Sequence, residues 1–266
     1  METINRDAYL ITCMTNVHVG SGSTNFGVID NLVQRDSISE LPTINASSLK
    51  GALRQFCDFH WKNDENKQDK INYIFGPDTS RNDKDSPGIG HYSFFNADLL
   101  SLPVRSNKKP FYSAISPYLI EHIKQKSKLF GQEITLPKYE IGSDDSPKIN
   151  RGENVKLEDY KAEIDETLAE NDWLGKDIAL FPDDMLKRIA KKLPVIARNK
   201  LENGLSENLW YEEIVPRESR FVFFIHKEGK YQNDFDELIE SELLQIGANA
   251  SVGMGYVKIK KMKADE

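Results

Sequence analysis

The chain has 266 residues, 39% hydrophobic and 29% charged, with a net charge of −7. Those values describe a globular protein able to bury a core and exclude a disordered or fibrous one. No apolar run reaches bilayer length, the first residues lack a secretory pattern, and two cysteines cannot build a disulfide framework or a cysteine zinc site, so a cytoplasmic protein without membrane contact is expected.

In chain order, Ala8 to Val19 alternates loosely and predicts a strand, followed by a Gly20-Ser21-Gly22-Ser23 loop. Leu41 to Ile44 is extended ahead of a helix. That helix starts near Ser47, with Ser47 or Ser48 as N-cap and Leu49, Leu53, Phe56, Cys57 and His60 on one face. Residues 63–86 read as a polar surface insertion. His91 to Arg105 and Phe111 to Ile115 predict strands, and Pro117 opens a helix to about Phe130. Leu136 to Asp184 is an acidic insertion with a helical piece from Leu157 to Leu168. Val195 to Asn199 and Leu209 to Val215 flank a Glu202-Asn203-Gly204 turn and predict a hairpin. A buried-type strand at Arg220 to Ile225, an amphipathic helix at Phe235 to Ile246 and a strand at Met254 to Met262 close the chain. The order predicts an α+β fold built on a ferredoxin-like or RNA-recognition-like sheet with insertions.

The acidity is concentrated. Residues 144–184 hold thirteen acids and five bases, a net of −8, and the rest of the chain is +1. The remainder can therefore carry a basic surface despite the overall charge.

Four constellations can carry chemistry. Ser48-Leu49-Lys50-Gly51-Ala52-Leu53-Arg54 sets Lys50 and Arg54 on one face of a helix start, where free N–H groups already favour an anion. A solvated basic face is the commoner fate of such a pair. Gly51, which costs about 1 kcal/mol in a helix, argues for close approach by a ligand. The loop from Gly247 through Asn249 and Gly253 to Gly255 can turn several N–H groups to one side and hold phosphates, or be a plain helix-to-strand turn. His18, Gly20 and Gly22 precede Asp30, a loop carboxylate able to hold a divalent ion or take a proton, or to act only as a turn former. The hairpin segment Trp210-Tyr211-Glu212-Glu213 can stack on bases or pack on the core.

The runs HVGSG, GVID, QRD, SSLKGALR, SFFNADLLSLPVRS and YEEIVPRE, with the terminal glycine loop, resemble the RAMP superfamily. Within it they are most similar to the backbone subunits of type III-B CRISPR (Cmr) effector complexes. The likeness runs over nearly the whole chain except the acidic insertion and residues 63–86. It implies an RNA-recognition-like palm (1–135 and 217–266, with a surface insertion at 63–90), an acidic, partly helical insertion (136–192) and a thumb hairpin (193–216). It implies copies of the chain stacked in a filament along a CRISPR guide RNA, beside other Cmr subunits, cutting complementary target RNA with a divalent metal ion, Mg or Mn. The catalytic set it implies is Asp30, with His18, Glu212 and Glu213 near the cut and Asp30 at the metal. The RNA-binding set comprises Ser48, Lys50, Arg54, Gly20, Gly22, Gly247, Asn249, Gly253, Gly255 and Tyr211. The loop at Asn249-Ala250-Ser251 and Met254 departs from the basic or threonine residue usual there, which leaves phosphate contacts to the backbone. Two other readings stay open: a non-catalytic RNA-binding scaffold, and a RAMP endonuclease that matures guide RNA with His18 as base.

Overall fold

The computed structural model describes residues 4–22, 27–77, 88–132 and 134–262. Strand β1 (Ile4–Cys13) leads through a loop to the short β2 (Thr43–Ile44) and helix α1 (Ala46–His60), followed by α2 (Lys67–Phe75). Next come β3 (Tyr92–Phe94), β4 (Ala97–Arg105), β5 (Phe111–Ile115) and α3 (Pro117–Leu129). The acidic segment supplies β6 (Lys148–Ile149), β7 (Lys156–Leu157), β8 (Tyr160–Lys161), β9 (Glu163–Ile164), β10 (Ile178–Leu180) and α4 (Asp183–Ala190). A hairpin of β11 (Val195–Glu202) and β12 (Leu205–Glu213) precedes β13 (Arg220–Glu228), α5 (Gln232–Ser241), β14 (Leu244–Gln245) and β15 (Tyr256–Met262).

The fold is mixed α+β around one large mixed sheet, ordered β14-β15-β1-β13-β4-β5-β10-β6-β9. Its centre, β15-β1-β13-β4, is antiparallel throughout. Alternation along β1 divides the core in two. Tyr9 and Ile11 join Phe221, Phe223, Val257 and Ile259 under α1, α2 and α5. Ala8 and Leu10 join Val222, Phe224 and Met262 under α3 and the acidic segment. Lys227, fully buried, ties α5 to the sheet through Asp7 and Asp236, each at 2.6 Å.

Three expectations change. The Leu157 to Leu168 helix does not form: Asn154 and Glu158 take positive φ, and Val155, Leu157 and Ala162 turn into the core from short strand pairs. The helix of the acidic segment is α4 instead. Helix α1 begins at Ala46 with Asn45 as cap, because β2 ends its pairing with β4 at Ile44 and leaves no room for a later start. The helix expected to run to Ile246 ends at Ser241, where Leu244 and Gln245 turn to pair with β15. No helix among the described residues is long and apolar enough to cross a membrane.

Candidate functional site

The segment after β1 bends away from the sheet at Met14 and is caught on three sides. Val17 bridges Val215 at the foot of the hairpin, Gly20 bridges Val33, and the loop from Gly247 to Gly255 closes over His18. The closeness of that loop explains its glycines. Ala248 N–H donates to the His18 carbonyl at 2.9 Å, and a Cβ on Gly247 would stand 2.3 Å from the same oxygen. Gly255 N–H donates to the Asn16 carbonyl at 2.8 Å, and a Cβ there would stand 2.2 Å from the Ile246 carbonyl. Both glycines take positive φ as well. Gly22 and Gly253 share that conformation but face open space, as does Gly51 in α1.

His18 is 5% exposed, and its Nδ1 lies 2.7 Å from the Glu213 carbonyl. A carbonyl only accepts, so in the neutral ring Nδ1 carries the proton and Nε2, on the side of Gly20, is the acceptor. The two glutamates are both buried but engaged differently. Glu213 takes Arg35 at 2.6 Å and the Val33 N–H at 3.1 Å. Glu212 takes the Trp210 indole N–H at 2.8 Å, the Arg198 guanidinium at 2.5 Å and the Asn249 amide at 2.9 Å. Burial would raise the Glu212 carboxyl, but Trp210, Arg198 and nearby His18 outweigh it and hold it below the usual glutamate range. Glu212 thereby fastens the hairpin to the glycine loop, and Arg198 extends the contact to the Met254 sulfur.

Asp30 is exposed beside the same hairpin. Its Oδ2 accepts the Tyr211 N–H at 2.7 Å, while its own N–H donates to the Tyr211 carbonyl at 3.1 Å. Among the described residues no three His, Cys, Asp or Glu side chains cluster as a metal cage. With Glu212 and Glu213 buried and paired with arginines, Asp30 is the exposed carboxylate of this group, the one a hard cation can reach. One carboxylate completed by substrate phosphate and water is an ordinary Mg²⁺ arrangement, so the donor set fits such an ion.

Gln34 joins this cluster to helix α1. Its amide donates to the Gly20 carbonyl at 3.1 Å and to Ser48 Oγ at 2.9 Å, and its side-chain oxygen accepts Asn45 N–H at 2.8 Å. Ser48 is therefore held by Gln34 and does not cap the helix. Lys50, one turn in, is half-buried; desolvation and then the neighbouring Arg54 lower its pKa. Arg54 donates to the Gly76 carbonyl at 2.7 Å, so part of its guanidinium closes the loop after α2. Because α1 starts at Ala46, Lys50 is its fifth residue and Arg54 its ninth, so the pair lies beyond the free N–H groups of the first turn and the expected anion site at the helix start does not form.

The structure thus gathers His18, Gly20, Gly247, Asn249, Gly255, Glu212, Glu213, Asp30 and Tyr211 in one region, with Ser48 reached through Gln34. Arg54 turns partly away. Sequence reasoning passed over Gln34, Arg35 and Arg198. The QRD run was visible, but nothing local says that its glutamine spans two loops and a helix, and Arg198 looks like any outward residue of a hairpin strand.

A model of the RAMP superfamily matches residues 10–258. A Pyrococcus furiosus protein named CRISPR system Cmr endoribonuclease Cmr4 is 31% identical over 287 residues, covering 95% of each chain. A Saccharolobus solfataricus CRISPR system CMR subunit Cmr4 is 36% identical over 98 residues, 37% of this chain. A chain of the type III-B Cmr-beta complex bound to cognate target RNA superposes with a TM-score of 0.77 at 21% identity, covering 97% of both chains. Oligomeric Cmr4 from Pyrococcus furiosus superposes with a TM-score of 0.66 at 24% identity, covering 98% of this chain and 99% of that one. These structural likenesses show a shared fold.

Proposed function

This chain belongs to the RAMP superfamily, and from that premise we propose that it is a guide-RNA-binding backbone subunit of a type III-B CRISPR effector complex. In this reading copies of it polymerise along the guide, beside other Cmr subunits, and cut complementary target RNA at regular intervals with a divalent ion. The sheet order β15-β1-β13-β4, with α1 after the first strand and α5 after the third, supports a ferredoxin-like palm. The separate β11-β12 sheet supports a thumb at 193–216, and residues 136–192 form the insertion between them.

The observation that carries the reading is the docking of the glycine loop on His18 beside Asp30, with helix α1, which bears Lys50 and Arg54, joined through Gln34. Lys50 and Arg54 repel each other without an anion between them, and a phosphate relieves that cost. The glycine loop contributes shape more than donors, against the sequence expectation: the N–H groups of Ala248, Val252, Gly253, Met254 and Gly255 are all donated to carbonyls of His18, Asn249, Ala250 and Asn16. The hairpin is exposed along most of its length and carries Tyr211 next to Asp30, which suits it to wedge a strand and splay a nucleotide.

RNA brings its own nucleophile, because the 2′-hydroxyl is tethered beside phosphorus. The protein's work is then to impose in-line geometry and stabilise charge. Asp30 would hold the ion, which when bound neutralises the phosphate and acidifies the attacking hydroxyl. The Tyr211 N–H orients the Asp30 carboxylate, and Glu212 keeps the hairpin bearing Tyr211 at a set angle to the glycine loop. The burial of both glutamates in pairs with arginines favours a second reading, an RNA scaffold without chemistry. Assembled complex carrying Asp30→Asn, assayed on target RNA with Mg²⁺ or Mn²⁺, tests the proposal: binding without cutting is expected, and unimpaired cutting refutes the assignment of Asp30.

A further inference from the structure

Behind the glycine loop, between β4, β5 and the end of α4, lies a cleft of about 620 Å³ that the preceding reading leaves unused. Leu102, Pro103, Phe111, Tyr160 and Leu193 line its apolar floor, and Arg188, Lys192 and Arg217 stand around it. We propose that this cleft is a nucleotide subsite that takes one unstacked nucleotide of the RNA strand bound at the His18 loop cluster. The base lies on the Phe111 and Tyr160 side, and Arg188 and Lys192 take the flanking phosphates. The inference rests on the RNA reading above and goes further, because Asn16 is the one residue of the cleft that also takes part in the loop cluster.

Three observations carry it. The volume and the mixture of aromatic floor and polar rim are those of a small-ligand pocket. The charges are unevenly matched. Arg105 holds Glu158 through two bonds, at 2.8 and 3.2 Å, and Glu218 lies 4.0 Å from Arg217. Asp159 is the remaining acid at the cleft. Arg188 and Lys192 are exposed, four residues apart at the end of α4, and form no ion pair among the described residues. Unmatched cations over an aromatic floor fit a nucleobase with its phosphates. Finally, the cleft is continuous with the loop cluster. Asn16 lines it while accepting Gly255 N–H on its carbonyl and Arg217 N–H on its side chain, at 2.8 and 3.0 Å. His18 is two residues further on, at most about 7 Å along the chain, which is roughly one nucleotide step.

The test uses the full-length protein, a single-stranded RNA bearing 4-thiouridine, and the double variant Arg188→Ala/Lys192→Ala. Crosslinks should map both to the loop cluster and to a peptide holding Phe111 or Tyr160. The double variant should lose only the second, and its salt dependence of binding should fall by about 1.4 in log–log slope, for two phosphate contacts. Crosslinks confined to the loop cluster, with an unchanged slope, would overturn the subsite while leaving the RNA reading intact. Absence of crosslinks and of RNA binding would overturn both. A double variant that keeps every crosslink and its slope but self-associates less would overturn the subsite in favour of a second copy of the chain.

Discussion

Replacing Glu212 with alanine tests how the hairpin is held. The side chain is 6% exposed and accepts three donors, from Trp210, Arg198 and Asn249. Removing it leaves two neutral N–H groups and one part-buried guanidinium without their acceptor. At about 1 kcal/mol for each neutral bond, and somewhat more for the charged one, the loss comes to about 3 kcal/mol. A two-stranded hairpin is marginal by itself, so that energy is taken from its attachment and not from the main core. Since 1.4 kcal/mol is tenfold, the detached population should rise about a hundredfold. Glu213, through Arg35 and Val33, and Tyr211, through Asp30 and Asn31, still hold the base of β12, so opening is confined to residues 198–210. Hydrogen–deuterium exchange read by mass spectrometry is the assay. Peptides from β11 and β12 should lose about two decades of protection while those from β1 and β13 stay unchanged. Glu212→Gln keeps an acceptor but not the charge, and should lose about one decade. A change below about threefold in the alanine variant would refute the claim that Glu212 fastens the hairpin.

The other expectations are narrower. Asp30→Asn retains an acceptor for the exposed Tyr211 N–H, so the melting temperature should move by no more than about 3 °C, for about 1 kcal/mol, while target cutting by the assembled complex vanishes. Chelation with EDTA should abolish cutting by the unmodified complex in the same way, with restoration by Mg²⁺ or Mn²⁺. Lys50→Ala should weaken RNA binding and flatten its salt dependence by about 0.7 in slope, read by fluorescence anisotropy across a salt series. Gly255→Ala drives a Cβ to 2.2 Å from the Ile246 carbonyl at φ +84° and should cost at least about 3 kcal/mol, whereas Gly253→Ala, in open space, should cost about 1 kcal/mol, both measured by thermal melts. Because the folded Glu212 pKa lies below its unfolded value near 4.3, its contribution is full above about pH 4.3 and disappears as pH falls through the folded value. A tryptophan emission change as pH falls below the usual glutamate range, absent in Glu212→Gln, is the expected result.

Alternation along β1, the continuous apolar run of β13, the 3.6-residue pattern of α1, Pro117 at the start of α3 and the Glu202-Asn203-Gly204 turn are local properties, and each appears in the structure within a few residues of where the sequence predicts it. The acidic segment shows the opposite. The sequence predicts a helical piece at residues 157–168, yet Val155, Leu157, Ala162 and Leu168 are buried, and β10, β6 and β9 extend the main sheet. Pairing to a sheet built elsewhere overrides helix propensity, which is worth only tenths of a kcal/mol per residue.

By itself, then, the sequence determined which residue types were available for phosphate and metal chemistry and the order in which strands and helices follow one another. Propensity, capping and periodicity act over a few residues and are written along the chain. Only the tertiary structure decided that Asp30 meets Tyr211, 181 residues away, that His18 lies under Gly247, and that Glu212 spends its charge on Arg198, Trp210 and Asn249. Those pairings depend on the sheet bringing distant loops to one end. Hydrogen-bond partners across such distances leave no periodic trace in a single sequence.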